Sequence, residues 1–289
     1  MSRSGITPSS STPGLVGPVR APALHLMSWN IRRPLPALVA RPADRWAARI
    51  PRLRAMLETE MPTVLCAQEV HPEQIPVVTG ALGGDHRFVG HGRAADATGE
   101  ACPVFYDAAR LELLGWSQTA LSDTPSVPGS RSWGNLFPRV VVHAEFRDRV
   151  TSRRLRVLNT HFDPVSARSR KRSAEAVREL LPAAGVPAVV AGDLNAGPSS
   201  PAVRLLLADG VPRDSWTAAR ERRTENWGTY AGYREPRKGG ARIDWILVTG
   251  GVEVTHAAIN PRTHRGGWPS DHLPVQAVLR LEEKGPGQA

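Results

Sequence analysis

Short apolar runs that break off into acids, amides and histidines recur along this chain, and that pattern narrows its possible folds more than any other feature. Leu24–Ser28 leads into Trp29-Asn30, and Val64–Ala67 into Gln68-Glu69. Further on, Arg153–Leu158 leads into Asn159-Thr160-His161-Phe162-Asp163, and Ala188–Ala191 into Gly192-Asp193-Leu194-Asn195. Arg242-Ile243-Asp244 opens one more run, and Ser270-Asp271-His272 precedes Leu273-Pro274-Val275. Apolar runs of about four to eight residues bounded by Gly, Pro and Asp read as strands. Polar clusters at their ends then sit on loops that rigid strands position.

Between these runs the apolar spacing changes to that of helices. Ile50, Leu53 and Leu57 share one face of Ala43–Glu60, with Pro51 expected in the first turn or at a kink. His71-Pro72 opens a short helix to about Leu82, which Gly83-Gly84 stops, and Ser166–Leu181 and Pro201–Ala208 read as helices. Arg87–Gly90, Pro103–Tyr106 and Leu111–Ser117 are strand-like, and Arg139–Phe146 with Arg153–Thr160 forms a hairpin. Val252–Ala258 and Pro274–Leu281 are the last two strands expected. Hairpins alternating with helices predict an α/β fold of two packed, mainly antiparallel sheets with helices on the outer faces. The polar clusters would converge at one edge of that sandwich.

At 289 residues and 41% hydrophobic, the chain can bury a large core. Residues 23–282 are read as one catalytic domain. Residues 1–22, rich in Ser, Pro and Gly, and residues 283–289 have too little to bury and are expected to be disordered tails. The N-terminus lacks the apolar core of a secretory signal, and no run approaches the roughly 20 apolar residues of a membrane span. The cytoplasm is the expected location, and no obligate protein partner is expected. Cys66 and Cys102 cannot build a disulfide framework, and no Cys/His array suggests structural zinc. The net charge of +10 suits a polyanion such as nucleic acid, although the scattered arginines also fit a compositional bias.

Each cluster has a plain reading beside a chemical one. Glu69 closes an apolar run, so its carboxylate needs a salt-bridge partner or a metal. Asn30 is either a turn residue or a ligand for metal or phosphate. His161 and Asp163 would share a face of an extended segment, as would Asp193 and Asn195, and local hydrogen bonds or an Asx turn are the alternatives. Asp244 sits between Ile243 and Trp245, either satisfied by backbone donors or orienting His272, which lies next to Asp271. His-Glu-x-x-His, Gly-x-Ser-x-Gly, Walker A and Rossmann motifs do not occur. Asn, Glu, Asp and His together point to hard cations and phosphoester hydrolysis.

Taken in order, Trp29-Asn30, Gln68-Glu69, Asn159-Thr160-His161, Gly192-Asp193-Leu194-Asn195, Arg242-Ile243-Asp244 and Ser270-Asp271-His272-Leu273-Pro274-Val275 resemble the motif series of the endonuclease/exonuclease/phosphatase superfamily. The resemblance runs from about Leu24 to Arg280. It is greatest to a bacterial branch with a Gly-Arg-x-x-Asp-x-x-Gly-Glu segment, here Gly92–Glu100, and a Gly-Thr-aromatic segment, here Gly228-Thr229-Tyr230. It implies a four-layered α/β sandwich and Mg²⁺- or Mn²⁺-dependent cleavage of phosphodiesters or phosphomonoesters. By that resemblance Glu69 is the principal metal ligand, with Asn30 and Asp271 close to the metal or phosphate. Asp193 aligns or deprotonates the attacking water, Asn195 holds the phosphate, and His161 stabilises the charge developing there. His272, oriented by Asp244, acts as base or as a phosphate-binding imidazolium. Two positions depart from the branch: Ala231 follows Tyr230 and Pro164 follows Asp163 where histidines are common.

The function expected first is a metal-dependent phosphodiesterase acting on nucleic acid, with Trp133, Trp227 or Trp268 as possible stacking surfaces. A phosphatase for a small sugar, inositol or lipid-derived phosphate is the alternative. A catalytically inert polyanion-binding module stands third.

Overall fold

Alternation along the strands decides how this molecule is layered. The computed structural model describes residues 13–181 and 185–282. One sheet contains β1 (Leu24–Asn30), β2 (Val64–Gln68), β3 (His86–Val89), β4 (Val104–Asp107), β10 (Glu221–Arg222), β12 (Val252–Ile259) and β13 (Val275–Leu281), in the order β10-β12-β13-β1-β2-β4-β3. The other contains β5 (Leu111–Ala120), β6 (Val140–Asp148), β7 (Arg154–His161), β8 (Ala188–Asp193), β9 (Arg213–Asp214) and β11 (Asp244–Val248), in the order β5-β6-β7-β8-β11-β9. Pairings are antiparallel except β1–β2, β7–β8 and β10–β12. The sheets are therefore mixed, each with a parallel pair near its middle.

Residues of one parity on each strand fill the layer between the sheets, and those of the other parity face helices. On β2, Val64 and Cys66 join the inter-sheet core, whereas Leu65 and Ala67 pack towards α1 (Trp46–Glu60) and α2 (Ile75–Leu82). On β8, Val189 and Ala191 point between the sheets, whereas Val190 packs with Ala174 and Val177 of α3 (Ala167–Glu179) and Val203 of α4 (Pro201–Leu206). The result is a helix–sheet–sheet–helix sandwich. Central strands buried on both faces read as continuous apolar runs for this reason. Ser166 caps α3 by accepting the Ser169 N–H at 3.1 Å, a contact worth about 1 kcal/mol.

Three local expectations change. Pro51 lies in the interior of α1, beyond the first turn. The two-residue strands β9 and β10 and the short helix α5 (Ser215–Ala218) were not expected, because such pieces are too short to show a period. The expected disorder of residues 1–22 gives way at Pro13. Leu15, Val16 and Gly17 donate backbone N–H groups to the buried Glu60 carboxylate at 2.7, 3.0 and 3.1 Å. Val16 also packs on Ala258 and Val278. Glu60 has no cationic partner within salt-bridge distance among the described residues, so these donors, with Asn260 and Gln276, satisfy its charge. Gly17 is required there, since a Cβ would fall 1.8 Å from the Glu60 carbonyl oxygen. Residues 1–12 and 283–289 lie outside the described residues. Among the described residues, no helix is long and apolar enough to cross a membrane.

Candidate active site

The parity that builds the inter-sheet core also delivers polar side chains to its open end. Leu24 and Leu26 face inward, and Asn30 follows on the same parity; Leu155 and Val157 lead to Asn159 and His161. Likewise Val189 and Ala191 lead to Asp193, and Ile246 and Val248 share the parity of Asp244. Register then sets His161 beside Asp193 and Asp193 beside Asp244 on one rung across β7, β8 and β11. Asn30 approaches that rung from the opposite sheet.

The contacts form one continuous chain. His272 Nδ1 lies 2.9 Å from Asp244 Oδ2, and His272 Nε2 lies 3.8 Å from Asp193 Oδ2. Asp193 Oδ2 also accepts from Asn30 Nδ2 at 3.1 Å and lies 3.6 Å from His161 Nε2. Asn30 Nδ2 donates again to Glu69 Oε1 at 3.0 Å, and Glu69 Oε2 accepts the Arg33 N–H at 3.1 Å. The Arg32 guanidinium reaches Glu69 at 3.7 Å and Asp271 at 3.6 Å. Two bonds tie the end of the chain to its beginning: Ser270 Oγ donates to the Asn30 carbonyl at 2.6 Å, and Trp29 Nε1 to the His272 carbonyl at 3.0 Å.

Three left-handed non-glycine residues lie here. Arg32, Glu69 and Asn195 have φ of 59°, 58° and 47°. Each left-handed non-glycine residue costs of order 1–3 kcal/mol and persists only where its surroundings hold it. At Glu69 the turn brings the carboxylate off the end of β2 towards Asn30. At Asn195 it ends the extended segment, so Asn195 does not continue the direction of Asp193. Its N–H instead donates to Asp193 Oδ1 at 2.9 Å, and its Nδ2 to the Phe162 carbonyl at 3.0 Å.

Burial raises the Asp193 carboxyl to about 7, aided by Asp244, with His272 and its hydrogen bonds opposing. Burial works against the His272 charge, but Asp244 and Asp193 outweigh it and lift the imidazole to about 10. Burial, with Arg139 and Arg93 nearby, pushes His161 well below its ordinary value, so the ring is neutral near pH 7. Burial also opposes ionisation of Glu69; His161, the Asn30 and Arg33 donors and Arg32 hold it down at about 2. With His161 neutral, the donors and Arg32 carry that effect. Burial raises Asp271, partly offset by His272 and Arg32.

Asn30, Glu69, His161, Asp193, Asp244, Asp271 and His272 thus gather in one region, and Asn195 lines the same cavity of about 450 Å³. Asn30 presents its amino group to the two carboxylates, while its oxygen accepts the Arg32 N–H at 3.0 Å. Asp163 turns away from His161: its Oδ1 accepts the Val165 and Ser166 N–H groups, and its Oδ2 lies 3.5 Å from Arg139. Trp133 is buried, and Trp227 and Trp268 pack against the inter-sheet core; none lines the cavity. Sequence reasoning missed Arg32 and Arg139. Arg139 is buried beside His161; its Nε is ion-paired with Asp163 at 3.5 Å, and its Nη1 has no hydrogen-bond acceptor among the described residues. The one signal for it is a cation directly before an apolar strand. A larger cleft of about 860 Å³ along the N-terminal segment contains a single acid, Glu221, and lacks this donor set.

Oxygen donors of this kind fit a hard cation. Glu69 and Asp271 already share one positive group, Arg32, and burial leaves Asp271 short of compensation. Asp193, Asp244 and His272 also bring ligand-type atoms within 4.8 Å of one another. There the short Nδ1–Oδ2 bond commits His272 to Asp244, which suits proton handling better than coordination.

The sequence model of the endonuclease/exonuclease/phosphatase family matches residues 27–272. No curated protein matches the chain. A mannosyl-6-phosphatase of Bacteroides thetaiotaomicron superposes with a TM-score of 0.82 at 26% identity, covering 89% of this chain and 100% of that one. A family protein of Bacteroides vulgatus gives 0.81 at 27%, covering 90% and 99%. TDP2 of D. rerio, solved with a single-strand DNA product, shares the fold with a TM-score of 0.66 at 16% identity, covering 90% of this chain and 100% of its own. Matched over most of its length, sharing the sandwich and gathering the motif residues at one sheet edge, the chain belongs to the endonuclease/exonuclease/phosphatase family of phosphoester hydrolases.

Proposed function

We propose that this protein is a divalent-metal-dependent phosphatase for small phosphomonoesters of the sugar-phosphate kind. The observation that carries the reading is the chain from Asp244 through His272, Asp193 and Asn30 to Glu69, of which His272, Asp193 and Glu69 line one cavity. The choice of a small monoester over nucleic acid rests on two supports. The first is that a mannosyl-6-phosphatase is among the similar structures. The second is Arg139, a buried cation that shares its charge with Asp163 but keeps an unused Nη1 donor, which suits the extra negative charge of a monoester relative to a diester.

Glu69 and Asp271 would hold Mg²⁺ or Mn²⁺. Asn30 would join them only by giving up its bond to the Arg32 N–H. Such an ion supplies charge neutralisation at the phosphoryl oxygens. Asp193, fixed by Asn30 and the Asn195 N–H, orients the attacking water and takes its proton. His161 donates a hydrogen bond to the phosphoryl group, and the His272 imidazolium, held by Asp244, offsets charge accumulating there. Arg139 grips a further phosphate oxygen.

A substrate panel tests this. Purified protein with Mg²⁺ or Mn²⁺ should release inorganic phosphate from hexose phosphates, lose that activity with chelator, and leave plasmid and oligonucleotides intact. Asp193→Asn should remove most turnover while remaining folded. Nicking of plasmid without phosphate release would overturn the monoester reading, and full activity in chelator would overturn the metal.

A further inference from the structure

A second cavity of about 710 Å³ shares the Tyr230 wall with the catalytic cavity and is lined by the loop from Gly228 to Ala241 together with Arg41. Tyr230 is half exposed and stands edge-on to the His272 ring, with centroids 5.1 Å apart. Two features show that this groove is a built part of the site. The Ala231 and Gly232 N–H groups both donate to the Asp271 carbonyl at 2.9 Å, which fixes the loop to the catalytic segment. Tyr233 donates its hydroxyl to Asp44 Oδ1 at 2.8 Å, which fixes the loop to the segment carrying Arg41.

The groove's charge is unspent. Arg41, Arg234 and Arg237 are exposed, and their guanidinium groups have no acceptor among the described residues. Lys238 pairs with Glu225 at 2.7 Å, and Glu235 is the one acid lining the groove. Gly228, Gly232, Gly239 and Gly240 leave the floor as bare backbone. At Gly228 a Cβ would fall 2.7 Å from the Gly240 carbonyl carbon, so a side chain cannot fill that floor.

Resting on the phosphatase reading above, we infer that the groove binds a second anionic group of the substrate, so that the enzyme prefers a small bisphosphate to the matching monophosphate. The phosphate to be cleaved sits between Glu69 and Asp193, the organic part passes Tyr230, and the second phosphate meets Arg41, Arg234 and Arg237. Guanidinium–phosphate contacts are charge-assisted and bidentate, and partial exposure limits their strength.

The probes are glucose 6-phosphate and glucose 1,6-bisphosphate, titrated with Mg²⁺ onto the Asp193→Asn protein so that binding is read without turnover. The bisphosphate should bind about tenfold more tightly. Replacing both Arg234 and Arg237 by Ala should cut that preference below about threefold and leave monophosphate affinity unchanged. Equal affinity for the two probes, or a preference that survives the double substitution, overturns the inference. So does arginine-dependent binding of a single-stranded oligonucleotide but not of the bisphosphate. If the bisphosphate preference appears but the wild-type protein releases phosphate from neither probe nor from other monoesters, the groove stands and the phosphatase reading falls.

Discussion

Replacing Asp244 by Asn separates catalytic from structural roles at the centre of the site. Asp244 is fully buried, and its Oδ2 lies 2.9 Å from His272 Nδ1. Its Oδ1 has no hydrogen-bond partner, and its N–H donates to Thr229 Oγ1 at 3.1 Å. Asn keeps the shape and the backbone bond but removes the charge. A hydrogen bond to a charged partner contributes about 1.5–3 kcal/mol against about 1 for a neutral one, so the imidazolium loses about 0.5–2 kcal/mol. If the charged ring is what the reaction uses, kcat/KM falls about 2- to 30-fold. Stability should fall as well: the buried imidazolium loses its counter-charge, and one end of the new amide lies where no protein group meets it. The assay is phosphate release by wild type, Asp244→Asn, His272→Ala and the double variant, with calorimetry on each. Because Asp244 acts through His272, the two rate losses should be far from additive. Additive losses, a kcat/KM within twofold of wild type, or an unchanged Tm would refute the reasoning.

Three further outcomes follow from contacts outside the site. Glu60→Gln turns an amide NH2 towards groups that themselves donate, leaving the Leu15 N–H and one Asn260 Nδ2 hydrogen unsatisfied, or the Val16, Gly17 and Gln276 donors if the amide takes the other orientation. At about 1–3 kcal/mol per orphaned group, the loss is about 2–6 kcal/mol, read by urea denaturation, and a loss under 1 would discredit the network. Pro51→Ala restores a helix hydrogen bond at an exposed position inside α1 and should raise stability by about 1–3 kcal/mol; a lower Tm counts against it. Burial, partly offset by Glu60, holds the His25 imidazole down at about 4. Between its unfolded value near 6.5 and about 4, the unfolded chain takes up a proton that the folded chain refuses, so stability present above pH 6.5 drains away as pH falls. The urea midpoint should drop steadily from pH 7 to 4.5, and His25→Gln should flatten that slope. An unchanged slope would assign the acid sensitivity elsewhere.

The apolar runs and their polar ends revealed the sheets and most of the site, because period-2 alternation fixes both the core face and the direction of Asn30, His161, Asp193 and Asp244. Val64 and Cys66 predict where β2 faces, and the same parity along β7 and β8 sets the catalytic rung. Other features depend on partners that sequence spacing does not show. Arg139 resembles any other arginine in an arginine-rich chain until the fold buries it beside His161. The direction of Asn195 depended on a left-handed residue, which turned an expected extended pair into an Asx-type hydrogen bond. The segment from Pro13 to Pro22 reads as tail because its role is to supply backbone N–H groups to Glu60, and those leave no trace in side-chain pattern.

The two bonds that join Asn30 and Trp29 to Ser270 and His272 span 240 and 243 residues. Asn30 and Glu69 are therefore synthesised long before their counterparts, and a chain truncated before Ser270 lacks Asp271 and His272 and leaves the Asn30 carbonyl and Trp29 Nε1 without these partners.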